Sequence, residues 1–581
     1  MTLPTNYMMR FFSHFIIFSL FIIAVSCNNP EEKATLVLHN GQIYTVNEAQ
    51  PKAEAVAVIN DTIVYVGDNQ GVQKWIGEAT EVVDLEGKTI TPGFIEGHAH
   101  FIGVGMNKMN VDLLQVKSYE EMLEKIAVAA KNTPEGEWII GRGWHQDKWD
   151  SLAPTMVQGF PTHQGLSEVA PNHPVYLKHA SGHAALANAK AMEIAGVVNI
   201  QKEGPEVIEI EGGEIIKDEL GNPTGIFNEN AMRIITEKIP ETTSEGYERA
   251  AELAMQECLV NGITSFQDAG ITKDIEETYR KLAEEGNMKV RLWAMISGND
   301  STLLKEYYEN GPAVGLGNNF LTIRSIKLYM DGALGSRGAW LLEEYADMPG
   351  QFGHNTTPMS RVYETSLKAL ESGLQLCSHA IGDRANREVL NNYEKAFNEK
   401  PEFAEDHRFR IEHAQHLSAE DIPRFSELGV VPAMQAIHMA SDRPWAIERL
   451  GEERIIEGAY VWRKLLDSGA KIVNGTDAPV EPLNPLPSFY ASVSRRTLAG
   501  EPEGGFEPEQ KMSRKEALRS YTLDAAYGAF EEDIKGSIEV GKLADFTVFS
   551  QNIMIIPEDE ILKTQADMTI VGGKILYQRT N

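Results

Sequence analysis

The chain has 581 residues, with 53 Lys and Arg against 84 Asp and Glu and a formal net charge of −31. That excess of acid argues against nucleic acid as a partner, because phosphate binding needs concentrated Lys and Arg, and against adhesion to anionic lipid. With 42% hydrophobic residues the composition is that of an ordinary globular protein, long enough for a large barrel with additions, and 3 Cys make no disulfide framework.

Residues 1–33 read as a leader rather than as part of the fold. Arg10 precedes a nearly unbroken apolar run from Phe11 to Val25, which suits a signal peptide and falls short of the about 20 residues of a spanning helix. The run ends Ala24-Val25-Ser26-Cys27 and is followed by the breaker-rich Asn28-Asn29-Pro30. Small residues before a Cys resemble the bacterial lipobox, in which the peptidase cuts before the Cys and the thiol carries diacylglycerol. Ala24 departs from the commoner Leu. The expectation is a signal peptide over 1–26, a lipidated Cys27 and a linker over 27–34. The chain is then an exported bacterial lipoprotein of the cell envelope, periplasmic or outer-membrane attached, that meets the membrane only through its anchor. The alternative is an ordinary signal peptide cut near Ser26. The other two thiols, Cys258 and Cys377, sit in apolar stretches and read as inert core residues.

From Thr35 the chain reads as short strands, TLVLHNGQIYT, AEAVAVIND, TIVYVGD and EVVDLEGKTI, broken by Asn40-Gly41, Asn60-Asp61 and Glu86-Gly87. The last stretch repeats the style in GSIEVGKLADFTVFS and MTIVGGKILYQ. Residues 35–91 and 536–581 are therefore expected to form one composite β-sandwich. Between them, over 92–535, strand-like runs alternate with amphipathic helical stretches such as Tyr363–Glu371 and Ala385–Asn398, the mark of a parallel α/β fold. Eight runs recur: ITPGFIEGHAHF, ITSFQDAG, VRLWAMIS, IRSIKLYMDG, LQLCSHAIG, FRIEHAQH, VVPAMQ and AKIVNGTDAP. They predict a (β/α)8 TIM-type barrel, with catalytic groups at the carboxyl ends of its strands. His100 and Thr264 stand 164 positions apart, where about 30 would complete one repeat. The surplus, about 131–245, reads as an inserted α+β subdomain placed to cover the barrel mouth.

The residues with chemistry end these runs. His98 and His100 are one residue apart, and alternate side chains of a strand share a face, so both imidazoles can reach one metal. His379 follows GLQLCS, His413 follows RFRIE and Asp477 follows KIVNGT. Any one of them alone could be a packed core residue, but four imidazoles and a carboxylate at successive strand ends suit zinc or a similar ion. Lys327 alternates with aliphatic residues in IKLYM, and an unpaired ammonium there would be costly. It is either paired with Asp331 or Asp268, or neutral and reacted with carbon dioxide to give an anionic carbamate able to bridge two metals.

The order HAH, Lys, His, His, Asp resembles the amidohydrolase superfamily. The strings KLYMDGALGSR, SHAIGDRA, RIEHAQ, GTDAPVEPLNP, GRGWHQDKW and SGHAALANAKAMEIAGV resemble its subgroup of N-substituted formamide deformylase and exoenzyme-regulatory-type hydrolases. The resemblance runs from Thr35 to Tyr577. It implies two divalent ions, zinc by preference, with His98, His100 and Asp477 on one, His379 and His413 on the other, and carboxylated Lys327 bridging them. It implies hydrolysis of a carbon–nitrogen bond in a small non-peptide amide, an N-formyl or N-acyl amine, with Asp477 as both ligand and general base. Trp144, His145 and His183 are candidate substrate-binding residues; His145 stands where relatives commonly have Asp. Asp383 and Arg384 read equally as site residues or as helix-start and packing residues.

Two rival readings are kept. A mononuclear ring deaminase of the same superfamily would use the same histidines and Asp477 but leave Lys327 without a metal role, and His413-Ala414-Gln415-His416 lacks the acid such enzymes usually carry. A surface lipoprotein that only binds would have no need of every ligand. Oligomeric state is left open by the sequence.

Overall fold

The eight strand-like runs become eight parallel strands: β1 (Phe94–Ala99), β2 (Ile263–Ile271), β3 (Arg291–Ser297), β4 (Leu321–Tyr329), β5 (Gln375–Ala380), β6 (Arg410–His413), β7 (Val431–Met434) and β8 (Val473–Asn474). They pair in chain order from β1 to β8, every pair parallel. This computed structural model describes residues 32–580 apart from 115, 147–148, 180–183 and 198–212. The expected signal peptide, Cys27 and His183 therefore lie outside the described residues.

The sheet curls until its first and last strands meet, giving the nearly closed barrel of a TIM-type fold. At the mouth the Asp477 amide donates to the His98 carbonyl at 2.8 Å, and the His100 amide donates to the Ala478 carbonyl at 2.8 Å. Glycine makes this approach possible: a Cβ on Gly97 would lie 2.4 Å from the Asn474 carbonyl oxygen.

Helices cover the outside because their apolar residues fall on one stripe. Met359–Ser372 and Asp383–Glu399 extend the two expected helices by four and two residues at the amino end and by one at the carboxyl end, and the second buries Val389, Leu390, Tyr393 and Ala396. Ser244–Val260 begins on Thr243, whose hydroxyl accepts from the Gly246 amide, and Ser301–Asn310 begins on Asp300, whose carboxylate accepts from the Leu303 amide.

Inside the barrel, Trp293, Met295, Cys377 and Ala269 pack together, and polar side chains fill the rest. Arg410 donates through Nε to Glu412 Oε1 at 2.7 Å and through Nη2 to Glu412 Oε2 at 2.9 Å and to the Gly97 carbonyl at 2.8 Å. Its Nη1 donates to Gln267. Neither Arg410 nor Glu412 has any exposed surface. A buried ion pair tolerates desolvation only when its remaining donors and acceptors are also met, as they are here.

The chain ends meet away from the barrel mouth. A four-stranded sheet holds Leu36–His39, Ala55–Ile59, Thr62–Gly67 and Glu81–Asp84; a six-stranded sheet joins Gln42–Tyr44, Lys52–Ala53 and Thr89–Pro92 to Phe546–Phe549, Ala566–Val571 and Lys574–Gln578. Leu38, Val56, Ile90, Val548 and Ile570 share the core between them. The run ITPGFIEGHAHF is thus divided at Gly93, its first half pairing with Phe546–Phe549 and its second half entering the barrel.

A second six-stranded sheet lies between β1 and β2 in the chain, built from Val111–Asp112, Ile139–Trp144, Val175–His179, Ala184–Ala187, Gly213–Lys217 and Pro223–Glu229. It takes in sequence upstream of the expected start near 131. The reason is the apolar stripe Tyr119, Met122 and Ile126 of the helix Tyr119–Asn132, which buries against Ile139, Val175 and Leu177. Cys258 and Cys377 are buried, and burial pushes both thiols up. No helix among the described residues is long and apolar enough to cross a membrane.

Gly97→Ala should destabilise the fold by about 1–3 kcal/mol, the cost of overpacking a tight contact, read as a lower urea midpoint. An unchanged midpoint would show that the closing strands are free to part.

Candidate metal centre

The site is assembled from the carboxyl ends of the barrel strands, and the polar interior orients it. His98 Nδ1 is hydrogen-bonded to Glu412 Oε2, on the carboxylate already gripped by Arg410. A carboxylate on Nδ1 fixes the proton there and leaves Nε2 as a lone-pair donor. That Nε2 lies 3.3 Å from Lys327 Nζ and 3.7 Å from Asp477 Oδ1. His100 Nε2 lies 3.2 Å from the same Asp477 oxygen. His413 is oriented in the same manner, its Nδ1 2.6 Å from Gln435 Oε1. The His379 ring packs 4.4 Å from that of His413, and its Nε2 is 3.4 Å from Asp331 Oδ1. Asp331 in turn accepts from the backbone amides of Ile381, Gly382 and Trp340, at 3.0, 2.8 and 2.9 Å, which secures the loop after β5.

Backbone strain gathers at the same place. His413, Ala414 and Asp477 have φ of 76°, 40° and 58°, left-handed values that cost a side-chain-bearing residue about 1–3 kcal/mol when surroundings enforce them. These bends turn the chain at the end of β6 and just beyond β8, where His413 and Asp477 line the mouth.

The electrostatics suit donors rather than charges. Burial lowers His98 to about 4, helped by Lys327, and lowers His413 further below the usual imidazole range. Both imidazoles are therefore neutral, the form that ligates metal. Burial also lowers Lys327, favouring the free amine. Burial pushes Asp477 upward, but the hydrogen bond from His100 and the surrounding imidazoles outweigh it and hold the carboxyl well below its ordinary value.

Among the described residues, two sets of three donors bring their ligand atoms within 4.8 Å of one another: His98, His100 and Asp477, and His413, His438 and Asp477. The first coincides with the expected ligands of one ion. The second contains His438, which sequence reasoning missed, while His379 stands beside it against His413. His438 Nε2 is buried, has no hydrogen-bond partner and lies 3.9 Å from Asp477 Oδ2. Such an orphaned nitrogen, among neutral imidazoles and a carboxylate, fits a divalent cation.

These groups form the floor of a cavity of about 370 Å³ whose walls include Tyr329, Leu334, Ile381, Trp445 and Val480, with Gln415, Asp442 and Glu481 as polar members. Burial raises Asp442 to about 6, with His438 opposing the rise and Glu481 adding to it.

Two expected substrate residues are placed elsewhere. Trp144 has no exposed surface and lies in the core of the sheet between β1 and β2, its indole donating to the Leu177 carbonyl at 2.9 Å. His145 packs against His179 with ring centroids 4.5 Å apart, and neither residue lines the cavity. A strand-ending GRGW looks like a site motif, but its apolar alternation serves the core of that sheet. Asp383 accepts from the Leu342 and Arg384 amides at the start of its helix, and Arg384 lies over Trp340, so both are helix-start and packing residues. Glu412, Gln435, His438 and Asp442 were not singled out from sequence. A signal existed for each: an acid one residue before a ligand in RIEH, and polar positions spaced by three and four residues in QAIHMASD.

A family profile described as "Amidohydrolase family" matches residues 81–577. The protein LONG AFTER FAR-RED 3 of Arabidopsis thaliana is 32% identical over 558 residues, covering 94% of this chain and 92% of its own. N-substituted formamide deformylase of Arthrobacter pascens is 28% identical over 555 residues, covering 94% and 98%. Among solved structures, an uncharacterised metal-dependent hydrolase from Pyrococcus horikoshii OT3 superposes with a TM-score of 0.73 at 27% identity, covering 90% of this chain and 99% of its own.

Glu412→Gln should weaken zinc binding about 10–100-fold, the usual effect of losing a ligand's outer hydrogen-bond partner, measured by competition with a chromophoric chelator. Unchanged affinity would mean that Glu412 does not orient His98.

Proposed function

The chain belongs to the amidohydrolase family, and from that premise we propose that it is a metal-dependent hydrolase of a carbon–nitrogen bond in a small non-peptide amide, an N-formyl or N-acyl amine. The observation that carries this reading is the convergence of His98, His100, His379, His413, Lys327 and Asp477 on one cavity floor. The likeness to a formamide deformylase over nearly the whole of both chains supports the amide class.

His98, His100 and Asp477 would hold one divalent ion, and their nitrogen and oxygen donors suit zinc. His379 and His413 would hold a second, with His438 within reach of it. Bound there, the ions supply acidification of a water and polarisation of a carbonyl oxygen. Burial disfavours the ammonium form of Lys327, so its Nζ would add to carbon dioxide with formation of a nitrogen–carbon bond and loss of one proton, and the resulting anionic carbamate would serve as a further oxygen ligand beside His98. An ammonium at that position, 3.3 Å from His98 Nε2, would repel any cation the imidazole held.

Asp477 takes the proton of the attacking water and returns it to the leaving nitrogen. An amide needs that second transfer, because an amine leaves poorly unless protonated. The carboxylate is suited to both steps because it stays ionised before attack and sits between His100 and His438. The apolar walls from Leu334, Ile381 and Val480 shed water and take the body of the substrate. We further propose, from the apolar run Phe11 to Val25 and the Ala24-Val25-Ser26-Cys27 that ends it, that the enzyme lies outside the cytoplasm, tethered through lipid on Cys27.

Metal analysis of enzyme purified without chelator and with bicarbonate should give close to two ions per chain, falling when Lys327 is replaced by Ala. One ion, unaffected by that change, would favour the mononuclear deaminase. Asp477→Asn should lower kcat on N-formyl amines by about 10²–10⁴-fold; wild-type turnover in that variant would remove Asp477 from the proton path. Cys27→Ser should abolish labelling by radioactive palmitate in the producing cell, and persistent labelling would refute the anchor.

A further inference from the structure

The cavity has a chemical bias that the reaction itself does not require. Two carboxylates beyond the ligand set stand on its wall, Asp442 and Glu481. They belong to one patch: Ser441, the residue before Asp442, donates its hydroxyl to Glu481 Oε1 at 2.6 Å. Asp442 lies on the helix Ala436–Leu450, one turn beyond His438, so it faces the cavity above the metal ligands. Glu481 lies in the segment just after Asp477.

No compensating basic side chain is free beside them among the described residues lining the cavity. Among the described residues lining the cavity there is no Arg, and Lys327 is the one Lys. Lys327 sits on the floor beside His98 and, under the function proposed above, carries a negative carbamate. The two guanidiniums of the same helix are engaged elsewhere, Arg443 with Glu507 at 2.7 Å and Arg449 with Asp347. Trp445 and Tyr329 add aromatic wall to the same cavity, and aromatic faces attract cations. Two half-buried carboxylates left without a partner cation repel each other, and a positively charged group between them would relieve both.

We propose that this cavity selects amides bearing a positive charge away from the scissile bond, held by Asp442 and Glu481 against Trp445, and that it turns away anionic amides. The proposal rests on the amide-hydrolase reading for its substrate and for the charge carried by Lys327, while the carboxylates and aromatic rings that would hold the cation belong to the cavity wall itself. Acyl amines whose carbon skeleton ends in an ammonium or quaternary ammonium fit; acylated amino acids with a free carboxylate do not.

Two measurements on the zinc-loaded enzyme separate the ideas. In the first, kcat/KM is compared for N-formylbenzylamines carrying a para aminomethyl, methyl or carboxylate group. The aminomethyl compound should exceed the methyl compound by about tenfold, the worth of one charge-assisted contact, and the carboxylate should be slowest. In the Asp442→Asn, Glu481→Gln double variant the ratio of aminomethyl to methyl should fall toward one. Equal rates in the wild type, or preference for the carboxylate, would overturn the charge selection and leave the hydrolase intact. In the second, calorimetry compares choline with its uncharged isostere 3,3-dimethylbutan-1-ol. Choline should bind about tenfold tighter, and that advantage should vanish in the double variant. If none of the amides is turned over, the amide-hydrolase reading fails and the calorimetric ratio decides the charge selection by itself; equal affinities would overturn it.

Discussion

The arrangement at the mouth depends on one interaction in the barrel interior, the ion pair between Arg410 and Glu412. Arg410 spans the lumen from β6 to the Gly97 carbonyl on β1 and the Gln267 side chain on β2. It thereby ties three strands together and holds Glu412 ionised against the cost of burial. Glu412 turns the His98 ring. A hydrophobic replacement of the pair could fill the same volume, as often happens with buried ion pairs, but it would leave His98 without a fixed tautomer. The pair matters here for orientation more than for stability.

From that interior layer the site rises by short steps. Gln435 orients His413 as Glu412 orients His98, and Asp331 secures the loop beside His379 through three backbone amides. His98 and His413 are each set by a buried polar partner from another strand or strand end, so no single loop carries the site. The strained backbone at His413, Ala414 and Asp477 fits this scheme. Dense surrounding hydrogen bonds hold conformations that an isolated segment would abandon, and in return the donors face inward.

Much of this was legible in the chain. The eight barrel strands could be located because parallel strands buried on both faces read as continuous apolar runs, and their ends carried His and Asp where a barrel concentrates chemistry. The His98, His100 and Asp477 set followed from strand alternation and the family order. What the sequence concealed was orientation. Glu412 is invisible as a partner of His98, because 314 positions separate them and only closure of the barrel joins them. His438 lies on a helix, outside the strand-end pattern that exposed the other ligands. Trp144 and His145 stand at the end of a strand of the sheet between β1 and β2, and the core of that sheet takes up the indole. The upstream reach of that sheet was missed because a helix stripe such as Tyr119, Met122 and Ile126 does not say which surface it will cover.

The barrel is a strip wound into a ring, and it has a seam where β1 meets β8. Across that seam the backbone contributes two hydrogen bonds at the mouth, with Gly97 pressed against Asn474 below. His98 and His100 stand on one lip and Asp477 on the other. A cation shared by these three residues would act as a rivet between the two ends of the strip. Loading the ion would then also tighten the ring along the line where its chemistry is to take place.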